Sequence, residues 1–247
     1  VLDLMASGVI DVKPLISDRF KIDDAVAAYE KLGDHTSLGI LLDYQGVTAE
    51  APADNLVKLS ENSTNQAKNG NVAFVGGGNY ASRVLIPAFK SAGANLIALV
   101  TSGGTSAVHH GKKNGFLVAS TDIEQALNDT VDTVVIATRH NLHASQTIQS
   151  LEKDKHVFVE KPLALTHREI DDIEASQKVA KTMVMVGYNR RFSPHIQKIK
   201  TLLEAKPTPK AFIMTMNAGE IPKNYWTQDA EVGGGRIIGE ACHYIDL

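Results

Sequence analysis

The clearest pattern in the chain begins after Gly70, where short apolar runs alternate with stretches of helical spacing. Residues 71–75, 95–100, 117–119, 133–137 and 156–159 are nearly continuous apolar runs, the signature of strands buried on both faces. Between them, residues 80–92, 106–114, 121–127 and 143–153 place apolar side chains at helical intervals. Strand and helix in strict alternation predict an α/β class, a doubly wound parallel sheet with helices on both faces. The pattern continues with a helix from 166 to about 179, a strand over 183–187, a helix over 194–203 and a strand over 211–217. A glycine cluster at 233–235 then leads into a helical stretch reaching Leu247. These later elements read as the start of a second α/β domain with an open, mixed sheet.

Before Gly70 the pattern is weaker. Ile22, Ala25, Val26, Tyr29 and Leu32 fall at helical spacing with Asp23 as the expected N-cap, and residues 38–42 form a short apolar strand. One helix and one strand cannot cover both of their own faces. Residues 45–70, with Pro52 and many Asn, Gln, Ser and Thr, read as a linker with at most one helical turn. The predicted organisation is a segment 1–44, a linker 45–70, a dinucleotide-binding type domain 71–163 and an incomplete second domain 164–247. Without an initiating Met, and ending directly after a motif, the sequence reads as a piece of a longer polypeptide.

Composition narrows the classes. At 247 residues, 43% hydrophobic and 21% charged, the chain resembles an average globular protein, and no run nears the roughly 18 apolar residues of a membrane span. A formal net charge of −3 and scattered Lys and Arg provide no basic field for nucleic acid. Cys242 is the sole cysteine, which excludes an intrachain disulfide and a multi-cysteine zinc site and fits a reducing, cytoplasmic setting. His109 and His110 lack a third ligand at regular spacing, so no metal site is expected.

The chemistry concentrates at strand ends. The strand NVAFV runs into Gly76, Gly77, Gly78, Asn79, Tyr80 and Ala81, a GxGxxA motif between strand and helix. There Gly76 permits the turn, Gly78 lets backbone approach a pyrophosphate, Ala81 lets helix pack on strand, and the helix N-terminus offers N–H groups to phosphate. The acid that usually ends the second strand and holds the ribose is replaced by Thr101 and Ser102. Those two could accept a 2′-phosphate or simply be polar loop residues, which leaves NAD and NADP both open. Thr138, Arg139, His140 and His143 follow one strand, and Glu160 and Lys161 end the next, so both segments should border the ligand crevice. Pro162 keeps Lys161 out of helical geometry, and their bond could be cis. His143 reads either as a cofactor or substrate contact or as a polar helix start. Asn189, Arg190 and Arg191 follow a later strand, where an arginine could hold a substrate anion or form a structural ion pair. Cys242 adjoins His243 in sequence, but neighbouring helical residues point apart, which argues against a thiol nucleophile.

NVAFVGGGNYA, VVIATRHNLHA, HVFVEKPLAL, MVGYNRRFSP and GGGRIIGEACHYIDL together resemble the glucose-fructose oxidoreductase, inositol dehydrogenase and rhizopine-catabolism (Gfo/Idh/MocA) family over residues 71–247. The resemblance implies a Rossmann domain followed by an α/β domain that forms substrate and homo-oligomer surfaces. It also implies hydride exchange between NAD(P) and a sugar, cyclitol or sugar nucleotide. The family's EKP lysine carries over to Lys161, placed between nicotinamide and substrate, and its proton-transfer histidine to His243. The family commonly has aspartate four residues before that histidine, whereas this chain has Gly239 there and Glu240 one position later. On a regular helix Glu240 and His243 share a face at i, i+3, so Glu240 is the expected substitute. Arg139 stands where the family often has proline.

SGVIDVKPLISDRFKIDDAVAAYEKL and LGILLDY, within residues 1–44, resemble the C-terminus of medium-chain alcohol dehydrogenases. That likeness implies a bi-domain fusion, an arrangement associated with bacterial surface-polysaccharide synthesis. Two rivals to sugar oxidation stand beside it: a catalytically silent dinucleotide-binding scaffold or sensor, and an enzyme that cycles tightly held NAD(P) during epimerisation or glycoside cleavage.

Overall fold

A computed structural model describes residues 2–33, 37–44, 55–60, 70–206 and 208–247. The chain divides into two compact units, Val1–Ala53 and Asp54–Leu247.

In the first unit, helix α1 (Leu2–Ala6) precedes strand β1 (Asp18–Lys21), helix α2 (Ala25–Lys31) and strand β2 (Ile40–Asp43). β1 and β2 pair in parallel with Asp18 opposite Ile40. A strand over 18–21 was not expected from the pattern, because four residues of mixed polarity carry no periodic signal. The Asp18 carboxylate accepts from Lys31 Nζ at 2.8 Å and from Ser37 Oγ at 2.9 Å, tying the strand to the helix and to the approach to β2. Residues Ile22–Asp24 form a 3-10 turn, so Asp23 lies inside that turn rather than at the N-cap. Asp24 takes the cap position without a side-chain capping bond. Only Ala28 of α2 is buried, whereas Val26, Tyr29 and Leu32 are exposed, as expected for one helix on two strands.

The second unit is built on a seven-stranded sheet. Its strands are β3 (Leu56–Lys58), β4 (Asn71–Val75), β5 (Asn95–Val100), β6 (Val118–Ser120), β7 (Thr133–Ile136), β8 (His156–Val159) and β9 (Val184–Val186), in spatial order β3-β6-β5-β4-β7-β8-β9. Six strands run parallel and β3 is antiparallel to β6. After the edge strand β3 the chain enters the middle of the sheet at β4, winds out through β5 and β6, and returns to β7 on the other side. That reversal makes the doubly wound Rossmann-type α/β fold, with its crevice at the C-terminal ends of the central strands. β3 corrects the linker expectation for residues 45–70: three of those residues cover the edge of β6, where unpaired backbone groups would otherwise be exposed. Leu59 follows it into the core.

Alternation along each strand divides the core in two. Val72 and Phe74 join Leu99, Phe116 and Val135 on one face, while Ala73 and Val75 join Ala98, Val134 and Ile136 on the other. Phe74 meets Phe89 and Phe116 edge to face at 5.4 and 5.9 Å, a favoured ring geometry. The covering helices are α3 (Ile86–Ser91), α4 (Thr105–Asn114), α5 (Glu124–Leu127), α6 (His140–Glu152) and α7 (His167–Val179). A wide π turn over Ala81–Leu85 leads into α3. Pro87 follows that turn, and its missing N–H forfeits one backward bond of a regular helix. α7 opens with a capping box in which Thr166 and Glu169 each hold the other's backbone N–H.

Beyond β9, helix α8 (Pro194–Glu204) and helix α9 (Cys242–Ile245) form as expected. Residues 211–217 do not form the expected strand. A strand needs a neighbour for its backbone hydrogen bonds, and among the described residues none lies beside this segment, so the apolar run stays irregular and exposed. The described residues of the second domain accordingly do not form the expected open mixed sheet.

Candidate active site

A cleft of about 1070 Å³ lies along the C-terminal ends of the parallel strands. The loop after β4 forms its floor. Gly76 has φ +103, and a Cβ there would run into the Ala137 carbonyl after β7, so both backbone freedom and close approach demand glycine. A Cβ at Gly77 would come within 2.9 Å of Thr101 Cγ2. Gly78 is different: a Cβ there meets nothing within 4 Å and would occupy the cleft itself. Asn79 and Tyr80 begin the helix that points at this opening, and Ala81 is buried against the sheet. A glycine-lined opening at a helix N-terminus matches the shape and charge of a dinucleotide pyrophosphate.

The loops after β5, β7 and β8 form the walls. Thr101 is buried with its hydroxyl 3.0 Å from that of Ser106, while Ser102 beside it is exposed. Among the described residues no carboxylate from this side lines the cleft. Thr138 donates to Gln146 Oε1 at 2.7 Å, and the Arg139 guanidinium sits 5.8 Å from the centre of the Trp226 ring. His143 is fully buried: its Nδ1 lies 2.7 Å from the Pro162 carbonyl and its Nε2 3.2 Å from that of Thr138. It therefore links the two strand-end loops, and burial holds it below the ordinary imidazole value. The Lys161-Pro162 bond is cis.

Glu160 and Lys161 face the same cleft. Glu160 Oε1 is buried without a hydrogen-bond partner, and burial pushes the carboxyl above its usual range, against the pull of neighbouring Lys161. Lys161 Nζ donates to the Gly239 carbonyl at 2.7 Å, which joins the sheet to the final helical stretch. His243 lines the cleft from that stretch, with Nδ1 buried and unpartnered. Burial first, then the charges of Lys161 and Arg190, bring His243 down to about 4, so its ring is neutral at neutral pH. Unsatisfied polar atoms on Glu160 and His243, around an opening that glycine keeps clear, fit a polar ligand laid across the loops.

Not every expected residue is placed here. Glu240 does not line the cleft; its carboxylate pairs with Arg236 at 3.2 Å. The i, i+3 expectation assumed a regular helix, whereas Ile237–Ala241 is a wider π turn that rotates Glu240 out of register with His243. Arg191 forms an ion pair with Asp246, and Arg190 bonds the Tyr244 hydroxyl at 2.7 Å, which favours the structural reading for both. Asn189 lines the cleft and donates to the Tyr80 hydroxyl at 2.7 Å. Burial raises the Cys242 thiol above its ordinary value, the reverse of an activated nucleophile. Among the described residues no group of three or more His, Cys, Asp or Glu could hold a metal, and no helix is long and apolar enough to cross a membrane. Tyr225 and Trp226 close one wall and were not anticipated, because they stand in an irregular segment without periodicity.

Comparison with known proteins agrees with this geometry. Residues 70–188 match the GFO_IDH_MocA model, described as an oxidoreductase family with an NAD-binding Rossmann fold. The chain is 28% identical over 188 residues to Oxidoreductase P35 of Formosa agariphila, covering 72% of this chain and 59% of that protein. It is 35% identical over 131 residues to an inositol 2-dehydrogenase of Salmonella paratyphi B, covering 51% of this chain and 37% of the relative. A crystal structure of an NAD-binding protein from Listeria innocua superposes with a TM-score of 0.64 at 26% identity, covering 72% of this chain and 53% of that one. The chain thus spans about half the length of the proteins it matches. Residues 70–188, just under half of the chain, are a Rossmann domain similar to that of the Gfo/Idh/MocA oxidoreductases, a family described as NAD-binding.

Proposed function

We propose that this chain carries the reaction centre of an NAD(P)-dependent oxidoreductase acting on a secondary alcohol, or the matching ketone, of a sugar, cyclitol or sugar nucleotide. The observation that carries the reading is the convergence of Lys161 and His243, from two separate parts of the fold, on the cleft that holds the glycine loop. Bound in that cleft, the nicotinamide would supply the hydride acceptor or donor. Gly76, Gly78, Asn79, Tyr80 and Ala81 would hold the dinucleotide's phosphates, with Thr101 and Ser102 at the adenosine end and Thr138 and Arg139 beyond them. The adenosine end presents hydroxyls without a repelling carboxylate, which is compatible with NAD and with NADP.

His243, neutral at pH 7, is in the state required to accept the hydroxyl proton. Lys161, its Nζ on the Gly239 carbonyl, lies beside the same space and would polarise the substrate oxygen. His143 keeps the loops that bear Thr138 and Pro162 at fixed separation. Glu240, held by Arg236, has no part in the proton transfer.

A second reading, a dinucleotide-binding scaffold without turnover, is favoured by Gly239 and by the removal of Glu240 from the cleft. We further infer a cytoplasmic protein, homo-oligomeric through its C-terminal part. The parallel β1/β2 pair and α2 support a medium-chain dehydrogenase end for residues 1–44, with a place in surface-polysaccharide synthesis. A thermal-shift screen with NAD, NADP and a panel of sugars, cyclitols and sugar nucleotides tests the main reading, because a ligand selective for the native state raises its melting temperature. The expected result is a shift with dinucleotide, a further shift with a subset of the panel, and absorbance change at the nicotinamide with that subset. A dinucleotide shift without turnover on any compound would support the scaffold.

A further inference from the structure

His140 starts α6 at the end of β7 and lines the cleft, yet it is only 7% exposed. Its Nδ1 lies 2.7 Å from the Gly233 carbonyl. A carbonyl only accepts, so Nδ1 carries the hydrogen and the neutral ring leaves Nε2 with a bare lone pair. Among the described residues Nε2 has no protein partner. Trp226 packs edge-on against the ring at 4.8 Å, fixing its plane. On another side stands Gly239, where an added Cβ would lie 3.3 Å from His140 Cε1 and 3.7 Å from Nδ1. The ring therefore stands where a side chain at 239 would need to go, and the absence of that side chain lets His140 take up this position. The carbonyl of the same Gly239 receives Lys161 Nζ, so one residue both packs against the imidazole and holds the lysine.

Position along the cleft says which part of a ligand it meets. The glycine loop fixes the pyrophosphate, and Thr101 and Ser102 after β5 mark the adenosine side. The loops after β7 and β8, with His140 and Lys161, must face the other half. We propose that His140 Nε2 is the acceptor that positions the nicotinamide ring by receiving a hydrogen bond from its carboxamide N–H. A dinucleotide lying in the cleft would otherwise shut this lone pair off from water without a partner, a costly arrangement. This inference rests on the dinucleotide reading of the cleft and adds a positioning residue to it.

The test is calorimetric titration of the whole chain with three probes: NAD, the 3-acetylpyridine analogue of NAD, in which a methyl replaces the carboxamide NH2, and ADP-ribose, which lacks the nicotinamide. The wild type should bind NAD about 5- to 30-fold more tightly than the analogue, the range of one buried hydrogen bond. His140→Phe keeps a ring against Trp226 and removes both nitrogens; it should bring that ratio close to one while leaving ADP-ribose affinity within about twofold. His140→Gln, which retains a donor and an acceptor, serves the same comparison if the phenylalanine variant unfolds, and should keep part of the ratio. A ratio unchanged in His140→Phe, or an equal loss of affinity for all three probes, would overturn the assignment. Failure of ADP-ribose to bind the wild type would overturn the dinucleotide reading beneath it.

Discussion

The parallel sheet and the chain beyond α8 treat the same kind of residue in opposite ways. Leu99, in β5, is 0% exposed, whereas Ile213, in an equally apolar run, is 95% exposed. In the sheet each interior strand, β5 among them, has a hydrogen-bonded neighbour on each side and helices over the faces, so its apolar residues are covered and its backbone is satisfied. Residues 211–217 have no strand partner among the described residues, and from α9 the Tyr244 hydroxyl reaches Met216 Sδ at 2.7 Å without covering Ile213. Hydrophobic pattern thus becomes a strand only where partners for both backbone and side chains exist. The contrast has a functional side, because the cleft draws Lys161 from the well-packed region and His243 and Trp226 from the sparsely packed one.

The largest expected effect tests whether both regions serve one site. Lys161→Met and His243→Asn should each lower turnover on an identified substrate by roughly 10²–10⁴, the worth of a placed acid or base, while dinucleotide affinity stays within a few-fold. A loss confined to Lys161→Met would show that the sparsely packed region takes no part in the chemistry. Next comes packing: Phe74→Ala, at the centre of three edge-to-face aromatic rings and their sheet, should cost about 3–5 kcal/mol in urea denaturation. Ile213→Ala should change stability by no more than about 0.5 kcal/mol. Similar costs at both positions would mean that the contrast in burial is not a contrast in stabilisation.

The smallest effect is with pH. Burial brings His140 and His243 from the ordinary 6.5 to about 4 and lowers His143 as well. For these groups the unfolded chain binds protons that the native state refuses, so their contribution is present above pH 6.5 and is lost as pH falls towards 4. Glu160 acts in the opposite sense: its raised value favours the native state at low pH, and that contribution is lost as pH rises past the ordinary carboxylate range. With His110 also lowered, four histidines against one carboxyl should make urea midpoints fall between pH 6.5 and 4.5, and His140→Phe should flatten the slope. A midpoint that rises as the solution is acidified would contradict these environments.

The sheet was legible because its strands are buried on both faces and leave unbroken apolar runs such as NVAFV and NLIALV. The glycine loop was legible because the left-handed backbone at Gly76 and its close approach to the Ala137 carbonyl exclude a side chain there, and glycine is the residue type that meets both demands. What escaped depends on partners distant in sequence. β3 exists because β6 offers an edge, and nothing in its three residues announces it. Glu240 was misplaced because a π turn changes angular spacing without changing residue type. His140 stood at a border position in the sequence, but its role needed Gly233, Trp226 and Gly239 to be brought around it.

The central claim is that the loop after β4 holds a dinucleotide, and Gly78→Val tests it most directly, because a Cβ there meets no protein atom and enters only the space assigned to the pyrophosphate. Calorimetric titration with NAD and NADP should show binding by the wild type, at least about a hundredfold weaker binding by the variant, and a melting temperature that differs little between the two unliganded proteins. Unchanged affinity for both dinucleotides in a folded Gly78→Val protein would contradict the account.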